Sequence, residues 1–352
     1  MKIRLLAVLL AITLLLTACA TGTTDNSKAG SISESAPTVE TQSGTTPAAQ
    51  PDPTEGEEED LDIFGVLYPE DGTIPRGKEL IEYAQQLAEN TSRISQIEYT
   101  WKNGRPSMEV LAGTYDEYHT YEIPAESPME LVYGESEYYN YVLYLPEGYD
   151  PADTEKKWPV IYFFHGIGER GDDLSVLLPY GVLRYLGNGG KLDAIVIAPQ
   201  CPAESHWADT NAEVEKLVEF VPEMTEKYHI DTDRMYLTGL SMGGRCTWKL
   251  ALAMPDTFAA IAVVCGRTDT YEFDTIADMP IWMFHGVQDG TVSFNNITKN
   301  ILPVLDEVGH RYYKLTIFPS MSHVIWNTVY DRTDVYDWLL CQSLTNNQNE
   351  AR

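Results

Sequence analysis

The chain has 352 residues, 43% of them hydrophobic, with 25 glycines and 20 prolines, enough for one large domain with a sizeable core and an appendage. Its formal net charge of -29 excludes nucleic acid as a partner, because binding it needs a basic footprint. The same charge repels polyanionic substrates and anionic lipid headgroups, so neutral or locally uncharged substrates fit best.

Lys2 and Arg4 precede an apolar run from Leu5 to Leu16, followed by Thr17-Ala18-Cys19. A basic start, a short apolar core and small residues at its end read as an export signal over residues 1–18, and the run is short for a membrane span. Leu16-Thr17-Ala18-Cys19 resembles the lipobox of bacterial lipoproteins, in which cleavage leaves the cysteine as a lipidated N-terminus. That resemblance implies lipidation at Cys19 and an extracytoplasmic chain anchored to a bacterial cell envelope. An ordinary signal cleaved nearby is the alternative. Residues 19–61 are rich in Thr, Ser, Pro, Ala, Gly and acids and offer almost nothing to bury, which predicts a disordered tether.

Residues 62–125 read as an N-terminal extension of unknown role, packed on or leading into the main domain. Leu80, Ile81, Ala84, Leu87 and Ala88 share a helical face, and Ile94–Trp101 and Met108–Leu111 are β-prone. The main domain spans 126–342. Its strands are expected at Tyr138–Leu145, Val160–Phe164, Ala194–Ala198, the run ending at Gly239, Ala259–Cys265, Ile281–Phe284 and Tyr312–Phe318. Continuous apolar runs suit strands buried on both faces. Helical spacing recurs at 211–229, where Pro222 predicts a kink or break, and at 296–308 and 327–340. A disordered tail is expected at 343–352. Alternating strands and helices imply an α/β protein with a mostly parallel sheet, whose functional residues gather at the carboxyl ends of the strands.

Gly239-Leu240-Ser241-Met242-Gly243 is a G-x-S-x-G element between a strand and a helix, the setting of a nucleophile elbow. A serine hydroxyl needs a base, and the base an orienting acid. His323, in the loop after the last strand, is the candidate base. His165 and His285 also end strands but precede glycines and look built into their turns, His206 lies in a loop that could border the site, and His119, His229 and His310 read as bystanders. Asp289, after the preceding strand, is the candidate acid, with Asp269 as competitor. The oxyanion donors are expected to be the backbone N–H of Met242 and that of Gly166 or Ile167. Gln200, Trp207 and Trp326 are candidate substrate contacts. The chain has no C-x-x-C pair and no H-E-x-x-H, so neither a metal nor a cofactor is expected; Cys201, Cys246, Cys265 and Cys341 are not needed as disulfides in a domain of this size.

Assembled in order, Tyr144-Leu145-Pro146-Glu147-Gly148-Tyr149, His165–Asp173, Ala198-Pro199-Gln200-Cys201-Pro202, Gly239–Gly244, His285-Gly286 with Asp289, and His323 with Trp326 resemble secreted α/β-hydrolases of the carbohydrate-esterase type. These include feruloyl and acetyl-xylan esterases, polyhydroxybutyrate-depolymerase-like proteins and a group labelled predicted peptidases. The resemblance covers roughly residues 138–340. It implies the α/β-hydrolase fold, a Ser241–His323–Asp289 triad, a covalent acyl-enzyme, and acyl or feruloyl esters of carbohydrate as substrates. Ile167 departs from the smaller residue expected at its position. A serine peptidase on the same fold and a non-catalytic glycan-binding lipoprotein are the alternative functions.

Overall fold

The computed structural model describes residues 73–90, 94–102, 104–112, 131–207 and 209–350. The expected leader, Cys19, the tether and His119 lie outside these residues. Among the described residues no helix is long and apolar enough to cross a membrane.

Ten strands form one sheet: β1 Ile94–Lys102, β2 Arg105–Ala112, β3 Leu131–Gly134, β4 Tyr141–Tyr144, β5 Trp158–Phe164, β6 Ile195–Pro199, β7 Ile230–Leu240, β8 Ala260–Val264, β9 Ile281–Gly286 and β10 Tyr312–Phe318. Their order is β2-β1-β10-β9-β8-β7-β5-β6-β4-β3. The stretch from β6 to β10 is parallel, and both flanks are antiparallel. Every residue of β5, β6, β8 and β9 is buried, as their unbroken apolar composition requires of strands covered on both faces. Alternate residues of β5 feed opposite cores: Val160, Tyr162 and Phe164 join one, Ile161 and Phe163 the other.

The first core packs under α1 (Gly77–Asn90), α3 (Asn211–Lys227) and α4 (Met242–Ala253). The second packs under α2 (Gly181–Gly187), α6 (Trp326–Tyr330) and α7 (Thr333–Leu340). Between β9 and β10, a π-helical stretch, Asn296–Ile301, leads into α5 (Leu302–Glu307), which divides the helix expected at 296–308. The helix expected at 327–340 is likewise two, α6 and α7.

The segment before the main domain joins the same sheet. β1 lies antiparallel to β10 with Ile97 opposite Ile317, and α1 buries Leu80, Ala84 and Leu87 in the first core. Glu98 on β1 is buried, accepting from Thr316 Oγ1 at 2.8 Å and facing Lys314 Nζ at 3.3 Å. An unpaired carboxylate there would be costly, so this polar lock fixes the register of β1 on β10.

Two expectations are revised, a break at Pro222 and a wholly disordered tail. α3 runs unbroken through Pro222, which lacks the N–H that would bond to Val218. That defect costs about 3 kcal/mol, whereas burial of Leu217, Phe220, Val221 and Met224 contributes roughly 1.5–3 kcal/mol each. Residues 343–352 are not simply a disordered tail either, because Leu344–Glu350 form a helix, α8. Asp233 Oδ1, at the foot of β7, accepts from the backbone N–H and hydroxyl of Thr345 at 2.8 and 2.9 Å, and Asn347 Nδ2 donates to the Ala259 carbonyl at 2.8 Å.

Candidate active site

The turn from β7 into α4 is tight enough to dictate its own sequence. A Cβ on Gly243 would sit 1.9 Å from the Phe164 carbonyl oxygen, and one on Gly239 would sit 2.4 Å from that of Gly243. Only hydrogen fits at either place. Between them Ser241 takes φ 53° and ψ -112°, a conformation a non-glycine residue adopts only when its surroundings impose it. Its N–H donates to the Val264 carbonyl at 2.9 Å, and its carbonyl accepts from Arg245 N–H at 3.1 Å. The hydroxyl is thereby presented at the carboxyl edge of the sheet, on the first turn of α4.

Ser241, His323 and Asp289 come together there. His323 Nε2 lies 2.9 Å from Ser241 Oγ, and its Nδ1 lies 2.7 Å from Asp289 Oδ2. Because the carboxylate can only accept, Nδ1 carries the proton and Nε2 is free to accept from the serine hydroxyl. The loops bearing the histidine and the acid are stitched together. Val287 N–H donates to the Phe318 carbonyl at 3.0 Å and Gln288 N–H to the Met321 carbonyl at 3.0 Å. Gly286 permits this approach, since a Cβ there would meet the Ser322 oxygen at 2.3 Å.

The Asp289 side chain is fully buried. Burial alone would raise its carboxyl, but hydrogen bonds from His285 and His323 and from the Val292 N–H hold it well below the usual carboxylate range. Its Oδ1 accepts from the N–H groups of Thr291 and Val292 at 2.8 and 2.7 Å. Asp269, the competing acid, faces other partners: Arg245 at 2.8 Å and Lys249 at 3.3 Å. The hydrogen bond from Arg245 is the main reason its carboxyl falls to about 2. Arg245 also pairs with Asp209.

On the other side of Ser241, β5 ends in His165-Gly166 and the chain enters a 3-10 turn, Ile167–Glu169. Burial raises the Glu169 carboxyl, opposed by hydrogen bonds from the Gly166 N–H and its own N–H. Gly166 and Ile167 follow β5 on this side, and Met242 follows the serine at the start of α4. Arg170 Nε donates to the Ile167 carbonyl at 3.0 Å and its Nη1 to the Ser205 carbonyl at 2.9 Å, tying this turn to the loop that carries His206. The Ile167 side chain is 53% exposed, which leaves room for the large residue where a smaller one was expected.

Two expected substrate contacts are instead parts of the frame. Gln200 is buried, and its Nε2 donates to the carbonyls of Glu169 and Asp173 at 2.9 and 3.0 Å. Trp207 is buried too; its Nε1 donates to the His165 carbonyl at 3.1 Å and its ring packs on Phe164 and His165. Both face inward, their N–H groups holding carbonyls of the loop that follows β5. Trp326 differs: half-buried, it stands edge-on to the His323 ring at 5.6 Å. His165 is built into its turn, its Nε2 accepting from Cys201 N–H at 2.9 Å, and burial lowers it to about 4. His310, read as a surface bystander, is fully buried. Sequence reasoning gave no role to Arg245 or to the bracing by Arg170, and no local pattern announces either. Among the described residues no group of three or more His, Cys, Asp or Glu side chains could hold a metal ion. Cys201, Cys246 and Cys265 are buried, Cys341 is exposed, and all four are free thiols.

With this fold and site in view, the chain is similar to a peptidase family and to esterases. The Prolyl oligopeptidase family matches residues 206–283, a segment that holds Ser241 and stops short of Asp289 and His323. The chain is 30% identical over 130 residues to "Probable feruloyl esterase C" of Aspergillus terreus, covering 36% of this chain and 46% of the relative. It is 30% identical over 129 residues to feruloyl esterase C of Emericella nidulans, with the same coverage of 36% and 46%. It therefore spans about half the length of these relatives. The crystal structure of a thermostable esterase superposes with a TM-score of 0.53 at 27% identity, over 68% of this chain and 67% of that one. The fold is that of the α/β-hydrolases.

Proposed function

We propose that the chain is a serine carboxylic-ester hydrolase that works through an acyl-enzyme on acyl or feruloyl esters of carbohydrate. The observation that carries this reading is the continuous line from Ser241 Oγ through His323 to the buried Asp289, at 2.9 and 2.7 Å. In this reading Ser241 attacks the ester carbonyl while His323 Nε2 accepts its proton, and Asp289 holds the imidazole in the required tautomer and stabilises the imidazolium. The oxyanion forms against the backbone N–H of Met242 and that of Gly166 or Ile167. His323 then protonates the leaving alcohol, and water repeats the sequence to release the acid. The feruloyl esterase relatives support the choice of an ester, and of a feruloyl one among them.

The match to the Prolyl oligopeptidase family over residues 206–283 supports a second reading, a serine peptidase. Amide cleavage asks the same histidine to protonate a much poorer leaving group. Hydrolysis of acetyl, butyryl and feruloyl esters beside a panel of peptide amides, with Ser241→Ala in parallel, separates the two. Ester turnover lost in the variant is expected; amide cleavage with silence on esters would move the assignment to peptidase. Silence on both panels from folded protein would favour the non-catalytic glycan-binding lipoprotein.

The same proposal places the enzyme outside the cytoplasm, lipid-anchored through Cys19 on the tether of residues 19–61, with residues 1–18 removed as the signal and 126–342 as the catalytic domain. Incorporation of labelled fatty acid that is lost in Cys19→Ala tests the anchor.

A further inference from the structure

His285 closes β9, opposite Ile317 of β10, and is fully buried. Its Nε2 lies 2.7 Å from the Val292 carbonyl oxygen and 3.3 Å from Asp289 Oδ2. Both of these atoms only accept, so Nε2 carries a proton. Nδ1 is buried and has no hydrogen-bond partner among the described residues, a poor place for a second proton. The ring therefore gives its Nε2–H to the Val292 carbonyl, and the same nitrogen stands 3.3 Å from the oxygen of Asp289 that also receives His323. Phe294 packs against it with ring centroids 5.8 Å apart, which fixes its plane.

We propose that His285 is a positioning residue for the triad, a second imidazole that sets the orientation and basicity of Asp289 from behind. The inference rests on the Ser241–His323–Asp289 reading above. Asp289 Oδ1 is held by two backbone N–H groups, whereas Oδ2 faces only the two imidazoles. His323 must move charge during the reaction, so the His285 N–H is the fixed dipole beside that oxygen. Its N–H dipole tempers the pull of the carboxylate on the His323 proton and keeps the carboxylate plane aligned with Nδ1. The groups facing this pair from neighbouring elements are His323 from the loop after β10 and the Cys265 thiol beyond β8, whose ionisation burial pushes far up.

The test compares His285→Phe, which keeps the ring packing and removes the donor, with His285→Gln, which returns an N–H at similar reach. Ester kinetics on the full chain would be normalised to active sites counted by fluorophosphonate labelling. His285→Phe is expected to lower kcat about ten-fold or more with KM within two-fold, in the manner of a lost positioning interaction. It is also expected to move the acid limb of kcat/KM, which reports the coupled Asp289–His323 pair, to higher pH. The limb rises because a carboxylate stripped of one donor holds the imidazolium proton more tightly. His285→Gln should restore much of both.

A folded His285→Phe with kcat within two-fold and an unmoved limb would overturn the proposal, as would a Gln variant no better than Phe. Should His285→Phe fail to fold, long-range nitrogen–proton spectra of the unsubstituted protein decide: an Nε2–H tautomer at His285 supports the assignment, and an Nδ1–H tautomer refutes it. Ser241→Ala run alongside keeps the two levels apart, because ester turnover surviving in that variant sinks the triad reading itself.

Discussion

Two loops at the carboxyl edge of the sheet carry an aspartate each, and only one of them meets the histidine. Asp269 follows β8 and is nearly half exposed, held by Arg245 and Lys249. Asp289 follows β9 and is fully buried, held by two backbone N–H groups and two imidazoles. Both carboxyls are depressed, for different reasons. Guanidinium pairing at a surface stabilises charge in water, while dipoles inside the fold stabilise charge and fix its direction. A triad acid needs direction, so a low pKa alone does not identify it.

Substituting the two aspartates is the strongest way to break this contrast. Asp289→Asn is expected to cut kcat for esters by about ten-thousand-fold, by turning His323 to the wrong tautomer. Asp269→Asn is expected to leave kcat within about three-fold. Equal losses in steady-state kinetics would dissolve the distinction.

The glycines of the acid loop sharpen it. Gly286→Ala should destabilise the fold by about 1–3 kcal/mol in denaturant titration, since its Cβ would strike the Ser322 oxygen at 2.3 Å and push the histidine and acid loops apart. Gly290→Ala, one residue past Asp289 and with open space around its Cβ, should change stability by no more than about 0.5 kcal/mol.

On the other loop, Arg245→Ala removes the partner of Asp209 and Asp269. Because those carboxylates are solvent-exposed, the loss should be about 1 kcal/mol or less and should shrink further in salt. The smallest effect is in the acid range. The Asp269 carboxyl is depressed in the folded chain, so its contribution is present above the unfolded value of about 3.9 and disappears as pH falls to about 2. Melting curves across that window should show a shallower acid decline for Asp269→Asn than for the unsubstituted protein.

Much of this architecture is written locally. The apolar runs of β5, β6, β8 and β9 announce strands covered on both faces, and the spacing of Gly239, Ser241 and Gly243 announces the elbow. What sequence leaves unwritten depends on distant partners. β1 is set by Glu98 meeting Thr316 and Lys314 on β10. α8 is set by Asp233, more than a hundred residues earlier. α3 survives Pro222 through burial that no window of sequence displays. Within the site, the order of serine, aspartate and histidine is readable, and the structure sets those three side chains within hydrogen-bond reach. The inward turn of Gln200 and Trp207 is not readable, because polar and aromatic residues in a loop near a nucleophile suggest substrate contact as readily as scaffold. His285 is hidden for a similar reason: a histidine before glycine at a strand end looks like turn chemistry until its partner is seen.

Covalent trapping of the nucleophile puts Ser241 itself to the test. The full chain would be treated with a fluorophosphonate, digested and mapped by mass spectrometry. One phosphonyl adduct is expected, on the peptide containing Ser241, with ester turnover lost in proportion to labelling and no labelling in His323→Ala. An adduct on another serine that tracks the loss of activity, or undiminished turnover with Ser241 fully modified, would contradict it.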